Sequence, residues 1–140
     1  DVVTMAKAMG NGFPVGACWA KREIAGVFKP GDHGSTYSGT AIATAVVSAV
    51  LAELRRIDAP RLARERGAEL STKLADVPGV ASVRGTGLLL AVELDVARLG
   101  GVDAKAVYSG LLERGIVTNA VTATALRLAP WQEHCWPPRS

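Results

Sequence analysis

Hydrophobic and polar positions alternate in several registers along the chain. DVVTM (residues 1–5) concentrates apolar and β-branched residues and predicts a strand, and PVGACWA (14–20) predicts a second. Between them Gly10, Asn11, Gly12 and Pro14 are turn signals, so Lys7 falls at the end of the first strand. KREIAGVFKPGDHGSTYSGT begins charged and becomes rich in glycine and hydroxyl residues. From residue 41 to 57 the period changes. Ile42, Val46, Val47, Val50, Leu51, Leu54 and Ile57 recur at steps of three and four, which is helical spacing with a stripe broad enough to be buried or interfacial.

A second helix is predicted from Pro60 to about Ala75, with proline in the first turn, apolar positions at Leu62, Leu70 and Leu74, and a stop at Val77, Pro78 and Gly79. VASVRGTGLLLAVEL reads as two strands around a glycine turn. A helix near Asp103 to Arg114, stopped by Gly115, and closing strands in GIVTNAV and ALRLAP complete the order. Helix, paired strands, helix and strands from residue 60 onward suit a small α+β unit.

Composition narrows the class. With 140 residues, 49% hydrophobic and 21% charged, the chain has the size and balance of one globular domain, and its apolar runs fall short of a membrane span. The net charge is +3, yet the arginines of RRIDAPRLARERGAEL are interleaved with acids, which reads as a solvated helix face and not a nucleic-acid surface. Cys18 and Cys135 lie far apart without metal-ligand spacing, so a reducing cytoplasm fits, with no disulfide framework and no metal site. His33 and His134 have no acid or thiol partner at triad or metal spacing. GNG and GTG lack the rest of a nucleotide-binding fingerprint. Asp1 opens directly on a strand with no methionine and no secretory signal, which suggests a fragment.

A lysine at the end of a strand is aimed by rigid backbone, and desolvation or a cationic neighbour can free its amine to form a Schiff base. On local sequence alone an ordinary surface lysine is the better reading. The wider segment DVVTMAKAMGNGFPVGA resembles the lysine segment of the class III pyridoxal-phosphate aminotransferases. That resemblance implies a fold-type I α/β architecture, in which residues 1–59 are the C-terminal part of the cofactor-binding large domain and 60–130 the small α+β domain. Residues 131–140, WQEHCWPPRS, form an atypical tail that departs from the family pattern.

The resemblance further implies that Lys7 is the catalytic Schiff-base lysine, and that Ser35 and Thr36 of HGSTYSG bind cofactor phosphate, Thr36 across a dimer interface. The plain alternative for that loop is a helix cap by Ser38 or Thr40. VRGTGLLLAVEL with GIVTNAVTATALRLAP is most similar to the family's acetylornithine branch, where Arg127 takes the place of the carboxylate-binding arginine; a structural ion pair is its rival role. Arg84, beside a glycine turn, is given no catalytic role.

The implied reaction is pyridoxal 5'-phosphate-dependent transfer of an amino group from N-acetylornithine to 2-oxoglutarate in arginine biosynthesis, by a cytoplasmic homodimer. Ornithine, succinylornithine or 4-aminobutyrate aminotransferase, an aminomutase, and a non-catalytic truncated fragment are the alternatives.

Overall fold

In a computed structural model, which describes residues 1–130, the first apolar run forms β1 (Val2–Met5) and the second forms β2 (Ala17–Ala20). They pair antiparallel, Val2 opposite Ala20 and Met5 opposite Ala17. The connection holds a 3-10 turn, Lys7–Met9, so the lysine lies two residues past the strand and not at its last position. A single helical turn, α1 (Arg22–Ala25), follows, which the charged stretch had not indicated.

α2 (Ala41–Arg56) occupies the predicted helical run. Thr40 caps it, its hydroxyl oxygen accepting from the Ala43 amide at 3.4 Å, as one of the two candidate caps was expected to do. The broad apolar stripe is another matter: only Ala43 is buried, and Ile42, Leu51 and Leu54 are exposed.

α3 (Ala59–Ala75) carries Pro60 in its first turn. Its exposed side is laced by ion pairs, Arg61 to Glu65, Arg66 to Glu69 and Lys73 to Glu69. Lys73 first, then Arg66, holds the Glu69 carboxyl below its ordinary range by hydrogen bonding to the charged form.

β3 (Val80–Thr86), β4 (Leu89–Leu94), α4 (Ala104–Glu113), β5 (Asn119–Ala120) and β6 (Ala125–Leu128) complete the chain. The strands form one antiparallel sheet in the order β3-β4-β6-β5. Asp103 caps α4 through a 2.8 Å bond from the Ala106 amide. β5 is shorter than GIVTNAV predicts, because upstream of Asn119 the Thr118 hydroxyl, and not a longer ladder, reaches the Arg127 carbonyl at 2.7 Å.

The chain divides into two compact units, Asp1–Ala59 and the remainder from Pro60. They differ sharply in core. In the second, Val92, Leu94, Ala104 and Leu126 are buried together, with Leu74 of α3 and Val107, Tyr108 and Leu111 of α4 packed on them. Both helices therefore cover one face of the sheet, the face of Leu126 and Leu128. The first unit buries one hydrophobic side chain, Ala43, and exposes Val2, Val3, Met5, Trp19, Phe28 and Tyr37, the last at 84%.

A two-stranded ribbon with bare faces is marginal alone, and apolar surface on this scale drives association. The isolated 140-residue chain is expected to elute from size exclusion as oligomers or aggregate; a monodisperse monomer by light scattering would contradict this. Among the described residues no helix is long and apolar enough to cross a membrane.

Candidate active site

The lysine turn is built by backbone geometry. Ala6 is extended, at φ −157, and Lys7 then takes φ +54, in the left-handed region that side chains other than glycine seldom enter. Holding a non-glycine residue there costs on the order of 1–3 kcal/mol, so neighbouring structure has to enforce it. Successive amides do so: Met9 donates to Ala6, Gly10 to Lys7 at 3.1 Å, Asn11 to Ala8, and Phe13 to Gly10 at 2.9 Å. Gly10 is buried, and a side chain there would run into the Phe13 carbonyl and Val15, so the turn closes this tightly only on glycine. The outcome is an exposed Lys7 whose ammonium makes no hydrogen bond or ion pair among the described residues.

The hydroxyl-rich loop lies between α1 and α2. Ser35 is partly committed, its oxygen accepting from the Tyr37 amide at 3.3 Å, and its carbonyl accepts from the Ser38 amide at 3.4 Å. Thr36 is exposed and its hydroxyl has no partner among the described residues. A cavity of about 810 Å³ runs from this loop to the lysine turn, lined by Ser35 and Tyr37, by Met9 and Val15, and by Ala43 and Val47 of α2. Of the anticipated cofactor residues it takes in Ser35 alone; Lys7 and Thr36 are not in its wall.

Arg127 belongs to the second unit, on β6. It stands opposite Ala91 of β4 on one side and Asn119 of β5 on the other, and Ala91 in turn stands opposite Arg84 of β3. Arg84, Ala91, Arg127 and Asn119 thus form one row across all four strands, on the face that α3 and α4 leave uncovered. Arg127 is exposed and has no ion pair among the described residues.

The structural ion pair anticipated as its rival role is made by Arg84 instead. Arg84 donates through Nε and Nη2 to one carboxylate oxygen of Glu93, at 3.1 and 2.7 Å. The other oxygen accepts from the Thr124 hydroxyl at 3.2 Å. Glu93 escaped the sequence reading because only strand register reveals that it shares a face with both arginines, and Thr124, in the bend just before β6, joins it through this one hydrogen bond.

The family model for class III aminotransferases matches residues 1–132. The chain belongs to the class III aminotransferases. Among relatives in this family, the acetylornithine aminotransferase of Corynebacterium efficiens is 42% identical over 130 residues, covering 93% of this chain and 31% of that protein. The Neisseria meningitidis acetylornithine aminotransferase is 40% identical over 134 residues, with 93% and 33% covered.

Among solved structures, an ornithine aminotransferase from Toxoplasma gondii superposes with a TM-score of 0.79 at 31% identity, over 93% of this chain and 32% of that one. The acetylornithine aminotransferase of Elizabethkingia anophelis gives 0.76 at 29% identity, over 96% and 37%. The fold is accordingly part of the fold-type I architecture of these transferases. The chain spans about a third of the length of the relatives it matches.

Proposed function

We propose that this chain is the C-terminal portion of a pyridoxal-phosphate-dependent aminotransferase that passes the amino group of N-acetylornithine to 2-oxoglutarate in arginine biosynthesis. On this reading residues 1–59 complete the cofactor-binding large domain and 60–130 form the small domain, in a cytoplasmic homodimer. The observation that carries it is the lysine turn: in a class III chain, Lys7 sits in an enforced left-handed conformation with its ammonium uncommitted.

The donor set suits pyridoxal phosphate. Lys7 would supply a primary amine to hold the aldehyde carbon, and the Thr36 hydroxyl, with that of Ser35, would supply donors to phosphate oxygens, Thr36 across the dimer interface. When bound, the cofactor supplies an electron sink that makes a proton on the substrate carbon labile. Lys7 Nζ would hold that proton and return it, acting as base and then acid at a single atom. Arg127 would bind and orient a substrate carboxylate, since its planar guanidinium offers two parallel N–H groups and carries no competing ion pair among the described residues. Its side chain is exposed, opposite the small Ala91 of β4.

The donor is the finer part of the proposal, and relatives at 39–42% identity named acetylornithine aminotransferase support it. The ornithine aminotransferase likeness favours the second reading, ornithine as donor. Comparing kcat/KM for N-acetylornithine, ornithine and 4-aminobutyrate with 2-oxoglutarate, in the full-length protein that carries this segment, separates them. A preference of about tenfold or more for N-acetylornithine is expected, equivalent to ~1.4 kcal/mol in transition-state binding. A reversed preference would reassign the substrate while leaving the reaction class standing.

A further inference from the structure

The uncovered face of the second sheet carries a second carboxylate-binding decision besides that of Arg127. Glu93 lies opposite Ala125, and Ala91 opposite Arg127, so Glu93 and Arg127 are diagonal neighbours on adjacent strands. Such neighbours lie about 7–8 Å apart at Cα, within reach of a long side chain. A free glutamate at that position is the natural partner of the arginine, yet the two do not pair.

The reason is visible in what Glu93 holds instead. Arg84 takes one of its oxygens with two nitrogens, at 2.7 and 3.1 Å, and Thr124 takes the other at 3.2 Å. Thr124 is itself fixed, its amide donating to the Thr122 hydroxyl at 3.2 Å. The Glu93 side chain is 25% exposed against 67% for Arg84, so the carboxylate is the covered member and needs a cation beside it. Two cations and one anion share this face, and which cation is left over decides whether an external carboxylate can bind.

We propose that Arg84 and Thr124 are positioning residues for Arg127: by engaging both oxygens of Glu93 they keep that carboxylate from capturing the Arg127 guanidinium, leaving it open to the carboxylate of the substrate. The inference rests on the reading of Arg127 as a carboxylate site. It assigns to the arginine of the VRGTG turn a part in substrate affinity that it performs without touching substrate.

The test uses glutarate, an unreactive five-carbon dicarboxylate, titrated calorimetrically into the cofactor-loaded full-length protein, with KM and kcat for 2-oxoglutarate measured beside it. Arg84→Met is expected to raise the glutarate Kd and the 2-oxoglutarate KM about tenfold while kcat changes by less than about threefold, because only ground-state capture of Arg127 is at stake. Thr124→Val should move both constants the same way by less. Adding Glu93→Gln to Arg84→Met should return Kd to within about twofold of the parent, since the competing carboxylate is gone.

Unchanged Kd in Arg84→Met, or a loss that Glu93→Gln does not rescue, overturns the proposal. Arg127→Gln separates the two levels. If it weakens glutarate binding while Arg84→Met does not, the carboxylate reading stands and the positioning role falls; if it leaves binding unchanged, the carboxylate reading itself fails.

Discussion

Lys7→Ala is expected to leave the fold intact and abolish transamination. In the full-length protein, turnover should fall by at least about 1,000-fold, because on the proposed reading both the covalent attachment point and the proton carrier at the substrate carbon are lost with one nitrogen. Borohydride treatment with added pyridoxal phosphate should fix one cofactor per parent chain, on the tryptic peptide containing Lys7, and none on the variant. Lys7→Arg should fail as well: it keeps the charge but has no amine able to condense with an aldehyde. Equal trapping in Lys7→Ala would remove the lysine from its proposed role. The side chain is exposed and unpartnered among the described residues, so no packing loss confounds the comparison.

Gly67→Ala is expected to destabilise the second unit, against the intrinsic preference of a helix. In the interior of an exposed helix this change would gain about 1 kcal/mol. Gly67, however, is the buried residue of α3, and a Cβ there would press into the Gly87 carbonyl and lie 3.0 Å from the Gly87 Cα. Gly87, at φ +59, forms the turn between β3 and β4, so backbone meets backbone and neither can move aside as a side chain would.

Overpacking of this kind costs about 1–3 kcal/mol, enough to lower Tm by roughly 5–20 °C for a unit of this size. Gly67→Val should cost more. Thermal melting followed by circular dichroism decides the matter, and a raised Tm in Gly67→Ala would show that the helix can shift off the turn.

What the sequence reveals depends on whether the determining contact is local. The helices predicted over 41–57 and from Pro60 to about Ala75, observed as Ala41–Arg56 and Ala59–Ala75, were legible because period, Pro60 and the cap at Thr40 all act within one turn of helix. The β3-β4 pair was legible because a glycine turn joins two short apolar runs. The family resemblance, carried by the lysine segment and by ALRLAP, agrees with the match over residues 1–132.

Other features lay beyond that range. A left-handed Lys7 is invisible to propensity, since lysine has no preference for that region and only the following amides impose it. The shortness of β5 depends on a side chain, Thr118, answering a carbonyl nine residues away. The division of labour between Arg84 and Arg127 needs the register of three strands, which no single stretch contains. Periodicity in α2 reports that a face is apolar but not what lies against it, and in this chain Ile42, Leu51 and Leu54 of that stripe are exposed.

The unequal cores of the two units matter for the order in which a ribosome delivers them. Asp1–Ala59, which buries a single hydrophobic side chain, leaves the exit tunnel ahead of the unit that can close a core by itself. At ~5–20 residues per second, the stretch from Pro60 to Pro130 takes roughly 4–14 seconds to follow. When this 140-residue segment is translated by itself, Val2, Val3, Met5 and Trp19 stand open on a two-stranded ribbon during that interval. Nascent chains of this segment alone, stalled once Ala59 has cleared the tunnel, should therefore be strong clients of holdase chaperones, and those stalled after the second unit has emerged should differ from them only by the part that already folds.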